Sequence, residues 1–122
     1  MPLFCLWLAA CVPLVETRDG RQLRVTSPAF KDYAEQVFRQ QNSLSWALIE
    51  ALETADDPQI HQRLNQLETR LRQDCEAVNR LASARRQGES SSRAEQLALV
   101  RALPQCEARS REARQLLNRL DA

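Results

Sequence analysis

Two cysteines, Cys75 and Cys106, stand at equal distances from the midpoint of a polar turn at Ser90-Ser91, and each sits inside an apolar stripe of helical period. Folding that strip back on itself brings the thiols level, so the chemistry they offer is a structural disulfide that fixes the register of a helical hairpin. Redox work or metal ligation wants a close pair such as C-x-x-C or a larger ligand set. His61, the only histidine, falls 14 residues before Cys75, and a solvated helix-start histidine explains it better than zinc. A serine or thiol nucleophile wants a base beside it, and His61 has no such partner in the sequence. Asp56-Asp57 reads as a helix cap rather than an acid-base pair, and Gly20 and Gly88 alone build no phosphate loop. The expectation is a non-enzyme with no catalytic residue, no cofactor and no metal site.

Three helical patterns position the cysteines. Ser27-Pro28 supplies a cap and a first-turn proline, and the core stripe that follows is Phe30, Ala34, Val37, Gln41, Leu44, Leu48, Ala51 and Ala55. Asp56-Asp57-Pro58 ends this helix and opens the next, with Asp57 as N-cap. The second stripe is Ile60, Leu64, Leu67, Leu71, Cys75, Val78 and Leu81, running to about Gln87, where Gly88 suits the left-handed position after a helix end. Ser92 and Glu95 form a capping-box pattern ahead of the third stripe, Leu99, Leu103, Cys106, Ser110, Ala113, Leu117 and Leu120. Pro104 removes one hydrogen bond from that helix and predicts a kink or local break.

Composition agrees with long helices. The 122 residues are 43% hydrophobic and 27% charged, with two glycines, five prolines and 5% aromatics, which suits one small helical domain better than a sheet rich in tight turns. A net charge of +1 argues against nucleic acid as a partner, and no small-molecule substrate is indicated. All basic residues but Lys31 are arginine; guanidinium groups suit phosphate and carboxylate, and a GC-rich coding bias yields the same composition.

The N-terminus, MPLFCLWLAAC, is an apolar run closed by small residues and too short to span a bilayer, which needs roughly 20 residues. It reads as the end of a secretory signal whose beginning is truncated. Leu8-Ala9-Ala10-Cys11 resembles the lipobox of bacterial lipoproteins. That resemblance implies cleavage before Cys11, thioether lipidation of its sulfur and acylation of the new N-terminus, giving a membrane partner through the lipid anchor. Val12, standing where an aspartate commonly signals inner-membrane retention, implies the outer membrane, facing the periplasm. The oxidising compartment suits a Cys75–Cys106 bridge.

The expected organisation is a signal peptide at 1–10, lipid attachment and tether at 11–26, and a helical domain at 27–122. The tether assignment rests on VPLVETRDGRQLRVT having no helical period, a turn signal at Asp19-Gly20 and only weak alternation at Leu23 and Val25. The fold class is all-α, an up-down-up three-helix bundle with a disulfide-clasped hairpin. Phe38, Trp46 and Ile49 form a shoulder outside the first core stripe and are the candidate surface for an unidentified envelope protein; a broad buried face is the competing account. Arg85, Arg86 and Arg93 should lie at the tether end with Arg18, Arg21 and Arg24, as membrane-proximal basic residues or as solvated helix ends. In being short, helical and disulfide-bonded the chain is similar in architecture to some pilotins, lipoproteins that escort secretins; a structural envelope spacer is the other alternative.

Overall fold

A computed structural model of the chain describes residues 13–90 and 92–121. They form a mostly helical bundle with a small two-stranded sheet: β1 (Leu14–Glu16), β2 (Gln22–Arg24), α1 (Pro28–Thr54), α2 (Pro58–Asp74), α3 (Glu76–Arg86) and α4 (Arg93–Asp121). The stretch expected to be a signal, with Cys5 and Cys11, lies outside the described residues. Among those described, no helix is long and apolar enough to cross a membrane.

Local chemistry sets the helix boundaries. At the start of α1 the Phe30 N–H donates to Ser27 Oγ at 3.1 Å, and Pro28 occupies the first turn. Asp57 Oδ1 accepts from Gln59 N–H at 2.8 Å and caps α2. Past α3, Gly88 takes φ +73°, with Glu89 N–H donating to Ala84 O at 2.8 Å and Gly88 N–H to Arg85 O at 3.1 Å. This pair of bonds is the Schellman closure that a left-handed glycine permits. Ser92 Oγ accepts from Glu95 N–H at 3.2 Å and donates to Glu95 Oε1 at 3.0 Å, opening α4.

Packing departs from expectation in four places. First, the segment read as an open tether is a hairpin in antiparallel register, Leu14 opposite Arg24, Val15 opposite Leu23 and Glu16 opposite Gln22. Its turn is closed by Thr17 N–H donating to Arg21 O at 2.8 Å and Gly20 N–H donating to Thr17 O at 3.0 Å, with Gly20 at φ +86°. Val15, Leu23 and Val25 join the core; β1 lies against α4 and β2 against α1. Apolar burial at these three positions holds the hairpin down, so the fold is mostly helical with a small two-stranded sheet added to it.

Second, the helix expected from Pro58 to about Gln87 is divided at Cys75, whose φ of −100° and ψ of 4° leave the helical range. Third, of the kink or local break expected at Pro104 the break does not occur, and α4 continues as helix on both sides of it. The lost hydrogen bond is tolerated because Leu103 and Cys106, on either side, are fully buried and held by tertiary packing. Fourth, the last turn of the α4 stripe falls on Leu116, which is buried, leaving Leu117 half-buried and Leu120 exposed. A step of three from Ala113 rather than four keeps the stripe facing the core as its phase drifts. Tyr33 also belongs to the core, one step off the expected α1 stripe, while Ala51 and Ala55 are only half-buried.

The helix α4 is the central element and touches α1, α2, α3 and β1. Cys75 and Cys106 are disulfide-bonded with their Cα atoms 4.7 Å apart. Cys75 stands at the junction of α2 and α3, so the bridge fastens that junction to α4.

Candidate partner-binding surface

The helix α1 buries Phe30, Tyr33, Ala34, Val37, Gln41, Leu44 and Leu48 on one face. At about 100° per residue, Trp46 falls nearly opposite the centre of that face, and its side chain is 64% exposed. Ile49, three residues on and therefore one turn away on the same side, is 38% exposed. These two form an outward apolar pair that the core does not use.

Phe38 does not join them. It lies eight residues before Trp46, about 12 Å along the helix axis, and is half-buried against the core. Its ring helps line a cleft of about 190 Å³ between α1 and α3, with Ala34, Val78, Leu81, Arg85 and Arg86. Thus the expected shoulder separates into an exposed pair, Trp46 and Ile49, and a groove residue, Phe38. Leu97 and Leu14 are exposed apolar side chains that the helical stripes did not single out.

Arg85 and Arg86 stand at the exposed end of α3, near the first half of α1, and Arg93 is exposed at the start of α4. None of these three makes an ion pair among the described residues. The cleft places Arg85 and Arg86 beside Glu35 and Phe38. In the β1–β2 hairpin, Thr17 Oγ1 donates to Asp19 Oδ1, and Arg21 Nε donates to Asp19 Oδ2 at 3.1 Å. The Thr17 hydroxyl first, and the Arg21 charge with it, hold the Asp19 carboxyl below its ordinary pKa.

Comparison with known families, curated proteins and solved structures finds no match for this chain. Its chemistry has to be read from its own side chains.

Two polar links that the helical stripes did not foretell secure the helices presenting the surface. Tyr33 Oη donates to Glu107 Oε1 at 3.1 Å, tying α1 to α4. Burial, reinforced by the Glu107 charge, raises the Tyr33 pKa above its ordinary value. Arg109 Nε donates to Asp74 Oδ2 at 2.8 Å and Arg109 Nη1 to Glu112 Oε2 at 2.6 Å. A partial sequence signal existed for the Asp74–Arg109 pair, since Asp74 precedes Cys75 by one residue and Arg109 follows Cys106 by three, about one helical turn. Among the described residues, no group of three or more His, Cys, Asp or Glu side chains is placed to hold a metal; His61 is exposed.

Proposed function

We propose that this chain is a small, non-catalytic envelope lipoprotein, anchored through Cys11 at the periplasmic face of the outer membrane, that acts by binding another envelope protein. The observation that carries the binding role is the exposed Trp46–Ile49 pair on α1. Tryptophan is enriched where binding energy concentrates, and this one contributes nothing evident to the core. On this reading the helices form an up-down-up bundle of three limbs, with α2 and α3 as one limb bent at Cys75. Support for that course comes from the Cys75–Cys106 bridge and the Asp74–Arg109 pair, two links in opposite sequence order between the middle limb and α4, and from Tyr33–Glu107, which joins α1 to α4.

The basic residues Arg85, Arg86 and Arg93 are assigned to the membrane-proximal end, where each cation near anionic head groups contributes about 1 kcal/mol. With the hairpin docked rather than extended, the domain would sit close to its anchor. Two measurements test the proposal. The intact mass of the mature protein is expected to show diacylglycerol and an N-acyl chain on Cys11, and release of an unmodified mature chain would refute the anchor. A photocrosslinker replacing Trp46 in living cells is expected to trap one envelope protein reproducibly; equal trapping from Arg101, an exposed α4 position outside the pair, would refute the surface.

A further inference from the structure

The seam between α2 and α4 carries a second feature, independent of the lipid anchor and of the Trp46 surface. Cys75 is bonded to Cys106, and Asp74 reaches Arg109. The two links run in opposite sequence order, and continuing that antiparallel course along α2 toward Pro58 brings Arg70 to the level of Glu112, Leu67 to that of Leu116, and Arg63 to that of Arg119, each to within about a residue. The side chains agree, because Arg63, Arg70, Glu112, Leu116 and Arg119 line one cleft of about 160 Å³ together with Leu67 and Gln66. Leu67 and Leu116 are buried and form its floor, while the arginines stand exposed at its walls.

Charge in this cleft is unbalanced. Three guanidinium groups face one carboxylate, Glu112, whose Oε2 is already 2.6 Å from Arg109 Nη1. The nearby Glu68 is engaged by Arg72 at 3.8 Å. No ion pair neutralises Arg63, Arg70 or Arg119 among the described residues. Arg63 and Arg119 project from opposite helices at the same level, where like charges repel unless an anion lies between them.

We propose that this cleft is an oxyanion-binding site that takes a single phosphate group, held between Arg63 and Arg119 with Arg70 two turns along α2 from Arg63. Guanidinium forks match phosphate oxygens in bidentate geometry. A carboxylate is satisfied in one plane by a single fork, whereas donors arriving from two walls suit a tetrahedral group with oxygens on several sides. The volume is several times the roughly 30 Å³ that one water occupies in the liquid, enough for a phosphate and a small attached portion of an ester. Free phosphate and the phosphate of a lipid head group share this chemistry.

The test uses the purified full chain at fixed ionic strength, titrated with inorganic phosphate against a chloride control while the arginine Nε–H NMR resonances are followed. Saturable shifts at Arg63, Arg70 and Arg119 are expected, with affinity falling about tenfold in Arg63→Gln and again in Arg119→Gln. Arg111→Gln, an exposed change on α4 outside the cleft, should leave the affinity unchanged. Circular dichroism of each variant verifies that the helices persist, and chemical-shift mapping on the wild type locates the site without any substitution. Co-sedimentation with phosphatidylglycerol vesicles, compared with phosphatidylcholine vesicles, separates the sources: an excess on phosphatidylglycerol that is lost in Arg63→Gln assigns a lipid phosphate, and equal retention on both assigns free phosphate. Linear shifts equal to those in chloride, or saturable binding that both cleft variants retain, would overturn the site.

Discussion

Asp74 and Arg109 meet at 2.8 Å directly beside the disulfide, one residue before Cys75 and three after Cys106. Covalent and ionic links thus hold the same level of the α2–α4 seam. Both charged side chains are only 28% exposed, and Arg109 also reaches Glu112. The ion pair is shielded from water more than a surface pair, though it is still partly solvated, so its contribution should remain near 1 kcal/mol.

Reduction should therefore loosen the bundle without dissolving its register. Opening a loop of 31 residues costs about 3 to 4 kcal/mol when the bridge acts on the unfolded chain. In urea titrations the reduced protein should show a lower midpoint and the same helical content. Neither Cys75 nor Cys106 should be alkylated in the native oxidised protein. Rapid alkylation of both without a reductant would be incompatible with the bridge.

The ion pair and the bridge should be coupled energetically. Asp74→Asn is expected to cost about 1 kcal/mol, and the loss should differ between oxidised and reduced protein by about 0.5 kcal/mol or more, since both links hold the same pair of helices. A double-mutant cycle with Cys106→Ala measures this. Strict additivity would mean that the two links act independently.

What was legible in the sequence was mostly local. Ser27, Asp57, Gly88 and the Ser92–Glu95 pair could be assigned because each cap is complete within four or five residues. The stripes containing Cys75 and Cys106 were legible for the same reason, since a repeat of three and four residues identifies one face of a helix. The hairpin was obscure because each strand is three residues long and buries only one side chain, Val15 or Leu23; alternation needs more positions to stand out. Tyr33 was missed because the depth of burial depends on which neighbours cover a flank of the stripe. Breaks were harder still. Pro104 carries the expected local signal yet leaves α4 continuous, while Cys75 carries none and divides the second helix, because tertiary packing decides where a helix gives way. The arginine cleft was hidden by composition: in a chain whose cations are nearly all arginine, Arg63, Arg70 and Arg119 stand out only after the α2–α4 register is known.

Trp46 provides a direct test of the proposed surface. At 64% exposure, truncation to alanine should change the urea midpoint little, within about 0.5 kcal/mol. A core tryptophan would cost about 3 to 5 kcal/mol. The fluorescence difference between wild type and Trp46→Phe should show long-wavelength emission that acrylamide quenches readily. A blue-shifted, protected emission would place the ring in a packed environment and remove it from the partner surface.

Gln41 is a buried amide whose Nε2 donates to Ser45 Oγ at 3.1 Å and whose Oε1 lacks a partner among the described protein groups. An unsatisfied buried acceptor costs about 1 to 3 kcal/mol. Replacing the amide with an apolar group of similar size removes that cost while retaining the volume. Gln41→Leu is therefore expected to raise the denaturation midpoint, by the equivalent of about 1 kcal/mol. A lower midpoint would mean that the amide contributes more to packing than its unpartnered oxygen costs.

Tyr33 offers an alkaline test of the contact between α1 and α4. It is the only tyrosine, so the ultraviolet absorbance of its phenolate reports this residue alone. Burial and then the Glu107 charge raise its folded pKa above the ordinary value of 10.0. The folded state therefore retains the proton where the unfolded state has begun to lose it. By linkage, the contribution is fully present below about pH 10 and is lost as pH rises from there toward the raised folded value. Phenolate absorbance should appear later than in the unfolded chain and be accompanied by falling stability. Tyr33→Phe should flatten this part of the pH–stability curve while leaving Glu107 without its hydroxyl donor. Titration of native Tyr33 at its ordinary pKa, with no alkaline loss of stability relative to Tyr33→Phe, would show that the hydroxyl is not confined against α4.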